Sequence, residues 1–205
     1  MDAQGIPDPV RARGRPRSSI RDAGIREAAW ALIARVGCQA LTFEAVAQAV
    51  GCSRTTLYRR FANKGELIQH LLDETALSFA PKFAIDAPPR EKLLAHARTC
   101  VTIYTGDRGP AFIQIMAASR SDDTIASAMR AHGNLVVPHY YEPLRSLAPG
   151  ADERTIRFAL HTLIGSILHH VGALNKVPND EQLQRLVDAA IGLCQTNVAA
   201  PRGRC

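Results

Sequence analysis

Within residues 51–61, "GCSRTTLYRRF", three arginines, two threonines and a tyrosine stand beside only two large apolar side chains, Leu57 and Phe61. Those polar types are suited to double-stranded DNA. An arginine donates two hydrogen bonds to guanine O6 and N7, a threonine methyl meets the thymine methyl, and a tyrosine packs on sugar while its hydroxyl reaches phosphate. On a helical wheel started at Arg54, Tyr58, Thr55 and Arg59 follow at about 40°, 100° and 140°, one unbroken polar face fitted to a major groove. Leu57 and Phe61 fall at about 300° and 340°, a narrow stripe for a core. Thr56 and Arg60, four apart on the flank, are within reach of the phosphate walls. Taken alone, the wheel also fits a solvated helix carrying surface arginines.

A helix this polar needs a frame, and the preceding residues supply one. From about Ser18, Ile25, Ala29, Leu32, Ile33 and Val36 recur at helical spacing, with Gly37 as the C-terminal stop. Thr42 then caps "FEAVAQAV", whose Glu44 favours the first turn, and Gly51 ends that helix. Ser53 is the expected N-cap of the quoted helix, which closes near Phe61, and is also a candidate DNA contact; "ANK" leads into a fourth helix with Leu67, Ile68, Leu71 and Leu72 inward. Two short helices joined by a glycine-containing turn form a helix-turn-helix pattern. Beyond Pro81 the breaks "DAPP", "GDRGP", "LAPGADE" and "KVPND" predict helices over about 88–105, 110–119, 122–146, 152–175 and 179–198, with Pro138 and Pro143 bending or dividing the third. The fold class is all-α: a flexible basic arm at 1–17, a helix-turn-helix domain at 18–66, and a helical regulatory and dimerisation domain at 67–205.

The net charge of +6 belongs mostly to the first third: residues 1–66 hold 11 Lys/Arg against 6 Asp/Glu, and residues 67–205 hold 14 against 13. A polyanion would therefore meet the N-terminal domain. Five cysteines, odd in number and without a CxxC pair, read as reduced thiols rather than a zinc ribbon or a disulfide framework. The seven histidines show no HExxH or other ligand spacing and read as buried hydrogen-bonding or pocket-lining groups, so no metal and no cofactor is expected. No nucleophile elbow, Walker sequence, dinucleotide fingerprint or carboxylate pair appears, which argues against an enzyme. With no apolar leader and no run of eighteen apolar residues, a cytoplasmic protein without a membrane span is expected.

The run from Ile25 to Leu67 resembles the DNA-binding domain of the tetracycline-repressor (TetR) family of bacterial regulators. The matching features are the alanine pair of helix one followed by Gly37, Thr42, Gly51 with Ser53 in the turn, "TLY" followed by Phe61, and Lys64 followed by Leu67. Thr55, Cys52 and Cys38 depart from the residues common at those places. The resemblance implies that Thr42, Thr56, Tyr58 and Lys64 contact phosphate or sugar, and that Arg54, Thr55 and Arg59 face bases. "RGRPR" at 13–17 resembles an AT-hook core and brings Arg13, Arg15 and Arg17 to a minor groove; a solvated basic tail is the other reading.

The resemblance further implies a homodimer through the last two helices. The residues assigned to that interface are Ile156, Leu160, Leu163, Ile164 and Ile167 with Leu183, Leu186, Val187 and Ile191, which a monomer core could equally absorb. Phe79, Phe83, Tyr104, Phe112, Met116, Tyr140 and His161 are pocket candidates by residue type alone. The leading reading is a repressor released from a palindromic DNA operator by an unidentified small-molecule effector. The alternatives are a DNA-binding regulator without a small-molecule effector, and a helical enzyme or carrier with an incidental basic end.

Overall fold

The structure, a computed structural model, describes residues 17–84 and 86–196. Among these the elements are α1 (Arg17–Val36), α2 (Phe43–Val50), α3 (Arg54–Tyr58), α4 (Lys64–Ser78), α5 (Pro89–Thr105), α6 (Gly109–Ala118), α7 (Asp123–Leu147), α8 (Glu153–Leu168), a π-helical turn at His169–Ala173, and α9 (Asp180–Thr196). There is no strand among them, so the all-α expectation holds.

The short helices form where their ends are satisfied locally. Thr42 Oγ1 accepts from the Ala45 N–H at 3.1 Å, and Gly51 ends α2 at φ 67°, a left-handed conformation costly for any residue with a Cβ. Asn63 Oδ1 accepts from the Glu66 N–H at 3.0 Å while Glu66 Oε2 accepts from the Ala62 N–H at 2.5 Å, a reciprocal cap that opens α4. At α3 the expected cap differs: Ser53 occupies the N-cap position but makes no side-chain cap bond, and its Oγ instead meets Thr56 Oγ1 at 3.1 Å. The α-helix there covers five residues and continues to Phe61 as a turn, closed by the Phe61 N–H to Leu57 carbonyl bond.

Among the described residues, two cores organise the fold. The first is built from Ile25, Trp30 and Ile33 of α1, Val46 of α2, Leu57 of α3 and Leu67, Ile68, Leu71 and Leu72 of α4, and it extends through Phe112, Ile115 and Ile125 of α6 and α7. It therefore crosses the domain boundary drawn at residue 66: the helix-turn-helix unit is seated on the helices behind it. Arg108 fastens the same seam, donating to Glu27 Oε1 at 2.7 Å and to Thr75 Oγ1 at 3.3 Å with its guanidinium over the Trp30 ring. The second core joins Leu93, Ala97 and Val101 of α5 with Leu144 of α7, Ile156, Leu160, Leu163 and Ile167 of α8, and Leu183, Val187 and Cys194 of α9.

α7 links the two cores, and of the two outcomes expected at its prolines, bending or division, division does not occur: the helix runs unbroken from Asp123 to Leu147. Each proline deletes one backbone hydrogen bond, but Pro143 lies buried on the packed face and the neighbouring helices α5 and α8 hold the turn in place.

The expected dimer stripe needs a second correction. Ile156, Leu160, Leu163, Ile167, Leu183, Val187 and Ile191 are buried inside the second core of this one chain, and only Ile164 and Leu186 of the expected nine remain half-buried. Periodicity locates an apolar stripe on each helix without telling which side of the helix pair it faces. The outward sides carry Phe158, 60% exposed, with His161, Gly165 and His169 on α8 and the turn that follows it, and Leu186 and Ala189 on α9.

Candidate functional site

α3 has a single fully buried side chain, Leu57, which anchors it beneath α1 and α2. Turned the other way, Arg54, Thr55, Tyr58 and Arg59 are all exposed. The Tyr58 ring, 62% exposed, stands edge-on against Phe43 of α2 at 4.9 Å, which fixes its direction without covering it. Arg54 Nη1 lies 3.2 Å from Glu44 Oε2, both side chains well exposed, so the pair is loosely held and open to exchange for another anion. Arg59 has no ion pair or hydrogen-bonded side-chain partner among the described residues. Two arginines, a tyrosine and a threonine thus share one solvent face, the arrangement the wheel anticipates.

The side chains of four other expected contact residues have partners within the chain. Arg60 is half-buried and ion-paired with Asp22 of α1. Thr56 is half-buried against Ser53, and the Thr42 hydroxyl is the α2 cap. Lys64 turns away from the α3 face: its Nζ lies 3.0 Å from Asp122 Oδ2 and 3.4 Å from the Cys38 carbonyl. Asp122 is also the N-cap of α7, accepting from the Thr124 N–H at 3.0 Å and the Thr124 hydroxyl at 2.6 Å. These bonds, Thr124 first and Lys64 next, hold its carboxyl well below the usual carboxylate range. At the same junction a Cβ on Gly65 would stand 2.6 Å from the Thr124 carbonyl oxygen, so only glycine allows α4 to approach α7 this closely. Arg13 and Arg15 lie outside the described residues; Arg17 opens α1, and its side chain also lies outside them.

Behind this face, α4, α5 and α7 line a partly open cavity of about 300 Å³. His96, Cys100 and Tyr104 line it from successive turns of α5, His132, Val136, His139 and Tyr140 from one side of α7, Thr75 and Leu77 from α4, Phe112 from α6 and Phe83 from the connection before α5. Of the seven pocket candidates, Phe83, Tyr104, Phe112 and Tyr140 are present. Phe79 lines a separate groove between α1 and α5, Met116 packs on the first core, and His161 lies on the outer side of α8. The missed residues, above all His96 and His132, leave only a faint signal: His96, Cys100 and Tyr104 recur at i, i+4 and i+8 on one face of α5, and His132 and Tyr140 lie eight apart on α7.

Burial sets the protonation of this wall. Desolvation and the neighbouring His139 lower His96 to about 4, and desolvation lowers His132 against the opposing pull of Asp73, whose Oδ1 lies 3.2 Å from His132 Nδ1. Burial pushes the Cys100 thiol up to about 11; its Sγ lies 2.9 Å from the Tyr140 hydroxyl. Tyr104 and Tyr140 are raised by the same desolvation. Among the described residues the lining holds no Lys, Arg, Asp or Glu. Among the described residues no three His, Cys, Asp or Glu side chains converge as metal ligands, and no helix is long and apolar enough to cross a membrane.

Residues 25–71 match the model described as bacterial regulatory proteins, tetR family, and residues 95–194 match the tetracyclin repressor-like C-terminal domain. A DNA-binding transcriptional repressor TetR from Mycobacteroides abscessus is 27% identical over 176 residues, covering 84% of this chain and 92% of that protein. A transcriptional regulator from Pseudomonas aeruginosa PAO1 shares the fold at a TM-score of 0.69 and 17% identity, over 91% of this chain and 95% of that one. A regulator from Saccharomonospora viridis, solved in complex with choline, does so at 0.58 and 19%, over 83% and 95%.

Proposed function

This chain belongs to the tetracycline-repressor (TetR) family of bacterial transcriptional regulators, and on that premise we propose that it is a homodimeric repressor released from a palindromic operator by a small molecule held between α4, α5 and α7. One observation carries the DNA side of this reading: α3 buries Leu57 alone and turns Arg54, Thr55, Tyr58 and Arg59 together to solvent, on the helix that a helix-turn-helix sends into the major groove. Arg54, Thr55 and Arg59 read base edges, and Tyr58 positions the helix on the backbone. Lys64 reaches phosphate only by leaving Asp122, so its contact is conditional. The effector side is supported by a partly open, largely apolar cavity that touches α4, the helix opening directly behind α3.

Two symmetric half-sites require two symmetric readers. The dimer face consistent with the packing is the outer side of α8 and α9, with Phe158, Gly165 and Leu186 in place of the buried stripe. Phe158→Arg is expected to give a folded monomer that no longer occupies a full site, whereas Leu163→Arg, placing an unpaired charge in the second core, is expected to unfold the chain. Arg13, Arg15 and Arg17 follow the adjacent minor groove in this reading; removing residues 1–16 then lowers the slope of log affinity against log salt by about 0.9 for each phosphate-neutralising arginine removed.

Selection from a random duplex pool, followed by sedimentation of the complex, tests the whole reading. It predicts one two-fold symmetric site bound by an even number of chains. Binding without sequence preference, or a single chain on a full palindrome at undiminished affinity, contradicts it.

A further inference from the structure

The cavity between α4, α5 and α7 has chemistry that narrows its occupant. Every lining side chain is uncharged or a histidine. Burial keeps His96 and His132 neutral at pH 7, and Asp73 and Arg108, which border the wall, are already bonded to His132 and to Thr75 and Glu27, so a carboxylate or ammonium entering the cavity would leave water without a free countercharge among the described lining side chains. The walls are aromatic at both ends. Phe83 and Tyr140 each contact His96, with ring centroids 5.6 Å and 4.7 Å from it. At the other end Phe112 touches Tyr104 at 5.4 Å and His132 at 5.9 Å.

That second end carries a matched pair of unused hydrogen-bonding groups. The Tyr104 hydroxyl makes no hydrogen bond to another described residue, and on this half-buried side chain it stays open to a molecule in the cavity. His132 uses only Nδ1, facing the Asp73 carboxylate at 3.2 Å. With a carboxylate as acceptor the imidazole proton sits on Nδ1, and Nε2 is left as an acceptor. Tyr104 offers a donor and His132 an acceptor, each packed on Phe112, and these are the two functions that a ligand hydroxyl answers.

We infer that this cavity takes an uncharged alcohol or phenol with an apolar, ring-sized body, its hydroxyl bonded to Tyr104 and to His132 Nε2. The inference rests on the reading of the cavity as the effector site. It goes further by assigning the class of the ligand and the two residues that select it. His132 also joins the ligand to α4 through Asp73, the helix whose first residue pairs with Asp122.

The test is calorimetric, at pH 7.5, on the full chain, with four probes that share a naphthyl body: naphthylethanol, its methyl ether, naphthylacetate and naphthylethylammonium. Naphthylethanol is expected to bind at least about tenfold more tightly than either ion, because the site offers no countercharge. The ether, which cannot donate, should lose several-fold in the wild type and nothing in His132→Phe. Tyr104→Phe keeps the ring and should weaken the alcohol by up to about tenfold. Val136→Trp, filling the cavity, should abolish binding while circular dichroism reports an intact fold.

Binding of either ion as tight as the alcohol overturns the assignment. So does an unchanged alcohol affinity in Tyr104→Phe, or no saturable binding by any probe. Operator release is measured separately: an alcohol that binds in the expected pattern yet leaves DNA bound retains the ligand class and refutes the effector role.

Discussion

The α3 face and the α4–α5–α7 cavity use polar side chains in opposite ways. On α3 the charges are exposed and either loosely paired, as Arg54 is, or without an ion-pair partner among the described residues, as Arg59 is. Around the cavity the polar groups are turned inward, His96 and His132 are held neutral at pH 7, and aromatic rings keep them in place. The difference follows from what each surface meets. A polyanion rewards exposed cations at little cost in desolvation, whereas a small ligand enclosed by protein must be matched bond for bond. The seam between them, Lys64–Asp122 and Gly65 against Thr124, belongs to neither pattern: it is a charge pair held at a tight helix contact.

The largest expected effect separates core from reading face within α3 itself. Leu57→Ala deletes a fully buried side chain and should cost about 2–5 kcal/mol in urea unfolding, with DNA binding abolished as a consequence. Tyr58→Ala, one residue on, should cost about 1 kcal/mol or less of stability while weakening DNA binding with little change in sequence preference. Equal stability losses from the two variants would break the division of α3 into an anchor and a reading surface.

A second prediction concerns the cavity alone. The folded pKa of His96 is depressed from the ordinary 6.5 to about 4, so the native state binds fewer protons than the unfolded chain across that interval. The stability gained by keeping His96 neutral is present above about 6.5 and is lost as pH falls toward 4. His96→Leu should flatten the stability profile between those limits; a profile parallel to wild type would place the acid sensitivity elsewhere. The α3 face has no comparable buried base, and variants such as Thr55→Ala should leave the profile unchanged.

The same contrast divides what is legible in the sequence from what is not. The helix-turn-helix is legible because its signals are local: Thr42 as a cap, the left-handed glycine at 51, and one apolar position per turn in α3. Ser53 occupies its expected place, but its hydroxyl turns to Thr56, a choice between two nearby partners that residue type does not determine. The features that escape a sequence reading depend on residues far apart along the chain. Nothing near Lys64 announces Asp122 as its partner, and an apolar stripe such as Ile156–Leu160–Leu163–Ile167 looks the same whether it closes its own core or meets a second copy. The cavity's histidines fall between these cases, since their spacing on α5 and α7 is visible in the sequence but equally fits ordinary burial.

A smaller effect is expected at the seam. Asp122→Asn retains an N-cap side chain for α7, because asparagine caps about as well as aspartate, but removes the charge facing Lys64. The cost should be about 1 kcal/mol at neutral pH. Because the folded pKa of Asp122 is depressed, that contribution is present above the ordinary carboxylate range and is lost as pH falls below it, so wild type and variant should converge in acid. Asp122→Asn should also free Lys64 for phosphate and raise non-specific DNA affinity; a drop would mean that the pair holds α4 in its DNA-competent position.

The central claim is that exposed side chains of α3 and its C-terminal turn read DNA sequence, and Arg59, exposed and without an ion-pair partner among the described residues, tests it most directly. Site selection from a random duplex pool is carried out in parallel for wild type, Arg59→Ala and Tyr58→Ala. Arg59→Ala is expected to relax the preference at one base pair of each half-site by about 1–3 kcal/mol, while Tyr58→Ala weakens binding with the site otherwise unchanged. An Arg59→Ala protein that returns the wild-type site, position for position, would contradict the claim.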